Sequence, residues 1–188
     1  MMMQGLNGIA MNKKGISKIL IAVIIIVVIV VVGIAAYSAL NSGIFNGNGG
    51  NGDGDQLPIE DANSLQFEVD LTSQETTIKY KLSGKNLRAT DMKIRIDLLG
   101  GDAGNFYYIL NPGEQEAWAN IDSTWIDLSD DFGAQWDSWG ITWINYVDNL
   151  QNWAGTGEWS YTAPNGDFIR VYNIAINPVI SDSVFQPT

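Results

Sequence analysis

Hydrophobic positions along this chain change their period twice. Residues 19–36 are apolar without interruption. From Leu65 onward the period is two: Leu65, Phe67, Val69 and Leu71 alternate with polar residues, as do Ile78, Tyr80 and Leu82, and then Met92, Ile94, Ile96 and Leu98. Alternation means one buried and one solvated face, the mark of antiparallel sheet. Ser83-Gly84-Lys85-Asn86, Gly100-Gly101-Asp102 and Asn111-Pro112-Gly113 read as turns. A strand is expected at 105–110, with short ones around Ala117-Trp118-Ala119 and Thr124-Trp125-Ile126. The period then becomes helical, because Phe132, Trp136, Trp139, Trp143, Val147 and Leu150 share one helical face. Asp127 or Ser129 is placed to cap it, and Asp130 and Asp131 suit its positive end. Gly133 and Gly140 each cost about 1 kcal/mol relative to Ala, so packing must hold this helix. Strand returns at 158–163 and 168–176 around Pro164-Asn165-Gly166, and Asn177-Pro178 closes it.

The apolar run predicts a transmembrane helix at 19–40, since at about 1.5 Å per residue it reaches across a core of about 30 Å. Lys13, Lys14 and Lys18 precede it, in an n-region of residues 1–18 where Met11 offers a second start. Positive flanks stay cytoplasmic, which predicts a signal anchor: a single-pass cell-membrane protein with its C-terminal domain extracytoplasmic. Residues 41–57, rich in Gly, Asn and Asp, read as a flexible linker. Asn51-Gly52-Asp53-Gly54-Asp55 fails the calcium-loop pattern, because Ala62 stands where the final Glu is needed. Residues 58–188 then form one β-rich domain. The expected fold class is α+β: the transmembrane helix plus a curved antiparallel half-barrel sheet packed on one amphipathic helix.

The tract Lys13-Lys14-Gly15-Ile16-Ser17-Lys18 before the apolar run resembles the class III signal of archaeal type IV pilins and related surface proteins. The resemblance implies peptidase cleavage between Gly15 and Ile16, and a helix that either meets copies of itself or stays in the membrane. Leu20 stands where bacterial-type pilins carry a Glu.

Composition removes several chemistries. There are 10 basic and 21 acidic residues, a net charge of −11, and every acid lies at or beyond Asp53. Such a domain repels phosphate backbones, so no nucleic-acid partner is expected. With no Cys and no His there is no disulfide, thiolate or imidazole, and neither a metal nor a cofactor is expected. The carboxylates Glu114, Glu116, Asp130 and Asp131 have nothing to frame them as an acid and base pair, so no enzyme is expected. Lys93 and Arg95 share a face opposite Ile94 and Ile96, and with Arg170 they read as surface pairs for neighbouring acids.

The aromatic residues carry the remaining chemistry. Trp136, Trp139 and Trp143 either fill the core or wall an apolar groove with Trp118, Trp125, Trp153 and Trp159, a surface suited to a lipid or acyl chain. Asp91-Met92-Lys93-Ile94-Arg95-Ile96-Asp97, Phe106-Tyr107-Tyr108-Ile109 and Trp118, then the run from Ile169 through Asn177-Pro178 to Phe185, resemble the LolA/LppX-type lipoprotein-carrier group and its small archaeal relatives. The resemblance implies an open half-barrel around a helical plug that binds an acyl chain or a lipid-modified partner. The chain departs from the carriers in lacking a helix before its first strand and in being shorter. Three functions are expected in turn: a membrane-anchored lipid-binding module, a pilin-like filament subunit, and a structural interaction domain with a filled core.

Overall fold

A computed structural model describes residues 59–73, 76–100, 104–163 and 166–188. Eight strands form one antiparallel sheet: β1 (Ser64–Ser73), β2 (Thr76–Lys85), β3 (Lys93–Leu99), β4 (Phe106–Asn111), β5 (Glu116–Ile121), β6 (Thr124–Asp127), β7 (Trp159–Thr162) and β8 (Phe168–Ile176). Their order is β6-β5-β4-β3-β2-β1-β8-β7. The first six strands follow one another as hairpins. The chain then leaves the β6 edge, crosses one face of the sheet as a helix, and returns at the far edge as β7 and β8.

Period two sets the two faces. The register aligns Phe67, Leu82, Ile96, Tyr108, Ala119 and Ile126 in one row on the helix side, and Val171, Val69, Tyr80, Leu98, Phe106 and Ile121 in the next. All of these are buried except Ile126 at the β6 edge, which is partly buried. The opposite row reads Tyr172, Glu68, Lys81, Asp97, Tyr107, Asn120 and Trp125, in which the charges alternate. A one-residue slip would exchange the two sets, so the pattern specifies the register.

The helix runs as α1 (Phe132–Gln135), a five-residue π segment (Trp136–Gly140) and α2 (Ile141–Leu150). Asp127 Oδ1 accepts from the Ser129 amide at 2.9 Å and starts the turn that leads in. Ala117 and Ala119 are the small residues on β5, where α1 packs. The π segment offsets the buried stripe. Trp139, Trp143, Tyr146 and Leu150 are buried, while Phe132, Trp136 and Val147 lie partly exposed at its margin.

Beyond β8 the chain turns at Asn177 (φ 53°) and passes onto the outer face, where Asp182–Phe185 forms a single 3-10 turn. Ile180 and Phe185 settle on Ile109, with Trp118, Trp125 and Val184 around them, as a second small core on the outer side of the sheet.

The expected fold class is therefore corrected. In place of a transmembrane helix plus half-barrel, the described residues form an open eight-stranded antiparallel sheet with one interrupted helix. No helix among them is long and apolar enough to cross a membrane. Their longest helical run, 132–150, carries Gln135, Asp137, Asn145, Asp148 and Asn149. The expected anchor at 19–40, the n-region 1–18 and the linker 41–57 lie outside the described residues. The signal anchor, and with it the single-pass membrane localisation and extracytoplasmic placement, has no support in the structure and is not retained.

Candidate functional site: a filled inner face and a strapped outer face

The seven tryptophans do not meet on one surface. Trp139 lies over the middle of the sheet with its ring 4.3 Å from that of Tyr108, stacked at 27°. Trp143 lies 5.8 Å from Phe67 and directly over Gly84, where an added Cβ would sit 2.5 Å from the indole Cη2. These two occupy the centre of the inner face, and Tyr146 completes the layer edge-on to Phe67 at 6.3 Å. Trp136 stands at the margin, 6.1 Å from Phe132 and against Gly140, whose missing side chain makes room for its ring. Trp153 donates from Nε1 to the Thr156 carbonyl at 3.2 Å, beside the main core. Trp159 pairs with Tyr161 on the β7 edge, centroids 4.7 Å apart. Trp118 and Trp125 are on the other side of the sheet altogether.

The polar groups of the inner face are few and deeply placed. Among the described residues, the Tyr80 hydroxyl, Trp139 Nε1 and Asn145 Nδ2 are buried without a protein partner. Burial raises the Tyr80 hydroxyl far above the ordinary tyrosine range and pushes Tyr108 and Tyr161 up to about 12. Tyr146 is raised by burial and then by its neighbours Tyr80, Tyr161 and Asp167. These phenols stay protonated at neutral pH.

The outer face is held by charge. Arg95 donates from Nε to Asp97 at 2.6 Å and from Nη1 to the Val184 carbonyl at 2.9 Å, with its guanidinium 5.2 Å from the Tyr107 ring centroid. Burial raises the Asp97 carboxyl, and Arg95 opposes that rise without cancelling it. Arg170 joins Glu158 at 2.6 Å and Asp70 at 3.6 Å, and lies 4.7 Å from the Tyr172 ring centroid. The C-terminal segment is fastened by Lys85 Nζ to Asp182 at 2.8 Å, Ser64 Oγ to the Pro178 carbonyl at 2.8 Å, and Trp125 Nε1 to the Thr188 carbonyl at 3.0 Å. Lys85 holds the Asp182 carboxyl below its ordinary range.

The weighed carboxylates are dispersed. Glu114 is exposed in a turn, Glu116 accepts from Asn111 at 3.2 Å, and Asp130 and Asp131 are exposed before the helix. Among the described residues no group of His, Cys, Asp or Glu could hold a metal ion. The expected processing site, Gly15 and Ile16, lies outside the described residues. Sequence reasoning missed the outer-face core. Its one signal was β4, whose run Phe106-Tyr107-Tyr108-Ile109-Leu110 is apolar or aromatic at every position, as a strand covered on both faces should be.

No family model matches the sequence, and no curated protein matches it. The likeness to lipoprotein carriers and to class III signals rests on the quoted residues alone.

Proposed function

We propose that this domain is a non-catalytic structural and interaction module that acts through its outer surface and keeps its core for itself. The observation that carries this reading is the seating of Trp139 and Trp143. A drug-sized or acyl ligand needs a cavity of about 300 Å³ or more. Here the middle of the sheet is in van der Waals contact with the chain's own indoles, down to the side-chain-free Gly84. The outer face offers the opposite character, with alternating charges, two tyrosines under arginines, and an apolar patch that takes a peptide segment.

Native mass spectrometry of the purified full chain tests the reading. The expected spectrum is the polypeptide mass, alone or in whole multiples. Tryptophan fluorescence is expected to stay unchanged on titration with fatty acid below its micelle concentration. A retained apolar molecule, or a saturable shift in tryptophan emission that Trp139→Phe abolishes, would overturn it in favour of an acyl-binding groove.

A further inference from the structure

The C-terminal segment is attached to the outer face of the sheet by a few side chains. Among the described residues it joins no strand ladder. Its short turn is self-contained: the Val184 amide donates to the Ser181 carbonyl at 3.1 Å, and Ser181 Oγ accepts from the Ser183 amide. What holds it are two buried side chains, Ile180 and Phe185, and a few polar clasps at Lys85, Arg95 and Trp125. The link to β8 passes through Asn177 in a left-handed conformation and Val179, which is wholly exposed. The segment can therefore leave the sheet with its own hydrogen bonds intact, but it uncovers Ile109, Trp118 and Trp125 when it does. An exposed aromatic patch of that kind calls for a cover.

We propose that the outer face of β3–β6 is a peptide-docking site for residues 180–188, and that two copies of this chain exchange the segment, each seating it on the other's sheet. The occupant is set by complementarity already visible within one chain: apolar anchors five residues apart, with an acid between them that meets Lys85. A second copy carries the same ligand and the same groove. Reciprocal exchange remakes every docked contact in both copies and costs only the freedom lost in bringing two chains together, the economy of segment swapping. Within one chain the tether gives the segment a millimolar-scale effective concentration, so exchange becomes populated as the chain is concentrated. The inference rests on the reading of a surface-acting module, and names its partner.

The absence of cysteine from the whole chain makes a clean test possible. Full-length Lys85→Cys and Asp182→Cys chains are mixed, concentrated, and treated with a short bis-maleimide. The expected product is a cross-chain adduct forming at least tenfold faster than between Lys85→Cys and Asp148→Cys, an exposed position on the helix side of the sheet. Adding Phe185→Ala to the Asp182→Cys chain should bring the rate down to that control. A chain bearing both Lys85→Cys and Asp182→Cys reports docking within one molecule. An intrachain adduct with cross-chain rates equal to the control overturns exchange, and leaves the surface reading intact. No adduct of either kind overturns the docking itself. The module reading is overturned separately, by a retained ligand in the mass spectrum or by the saturable tryptophan shift that Trp139→Phe abolishes.

Discussion

At Gly84 the missing side chain is a packing requirement. The residue sits inside β2 between Leu65 and Ile94, where a β-carbon would press on Trp143 at 2.5 Å and 2.6 Å and on Leu87 at 2.7 Å. Trp143 is buried between the sheet and its own helix, so its ring cannot swing away cheaply. Gly84→Ala is expected to destabilise the fold by about 1–3 kcal/mol, the usual cost of overpacking. A urea titration followed by tryptophan emission checks it; a midpoint equal to that of the parent would show the indole free to move. Trp139 gives the complementary case. Its Nε1 has no protein partner, so Trp139→Phe forfeits packing without breaking a hydrogen bond. Its cost is expected to stay well below the about 3–5 kcal/mol of Trp139→Ala.

At the scale of elements, period explains both what could be read and what could not. The strands of the inner face announced themselves by strict alternation, as in Leu65, Phe67, Val69 and Leu71, because one face is packed and the other wet. The helix announced itself by the spacing of Phe132, Trp136, Trp139, Trp143 and Leu150. The π segment was not legible in that spacing. Within the regular helix that follows, Tyr146 takes the buried place and Val147 lies partly exposed. The C-terminal segment was illegible for a different reason. It is too short to have a period, and its partners Trp118 and Trp125 face away from the helix, where no apolar layer was expected. Arg95 joins this segment to the sheet, and it carries a pH-dependent outcome. Arg95→Ala removes both the clasp on Val184 and the hydrogen-bonded partner of Asp97, leaving a half-buried carboxylate with Lys81 as its remaining charge against desolvation. A loss of about 1–3 kcal/mol at neutral pH is expected. Without the arginine the folded-state pKa of Asp97 rises further above its unfolded value, so the folded state takes up a proton more readily than the unfolded chain as pH falls. The deficit of the variant should therefore shrink on acidification into the carboxylate range. Equal deficits at neutral and acid pH, by thermal unfolding, would mean that Asp97 is solvated and indifferent to its partner.

For the whole molecule, the burial of phenols on the inner face sets a limit at high pH. Tyr80, Tyr108, Tyr146 and Tyr161 all hold their protons in the folded state beyond the ordinary range, chiefly because burial opposes the phenolate, and Tyr108 and Tyr161 reach about 12. In the unfolded chain each ionises near its ordinary value of about 10. Between those values the unfolded state binds fewer protons than the folded one, so stability is complete below about pH 10 and falls as pH rises past it. The slope approaches about 1.4 kcal/mol per pH unit for each buried phenol, which makes alkaline unfolding steep and cooperative. Circular dichroism and tyrosinate absorbance should change together in one transition. Tyr80→Phe separates this account from general charge repulsion in a chain of net charge −11. The Tyr80 hydroxyl is buried with no protein partner, so removing it breaks no hydrogen bond at neutral pH. It should shift the alkaline midpoint upward, because one ionisable group that drives unfolding is gone while the net charge at neutral pH is unchanged. An unshifted midpoint would place the alkaline transition in surface repulsion. The tyrosines would then be passengers in the tryptophan layer.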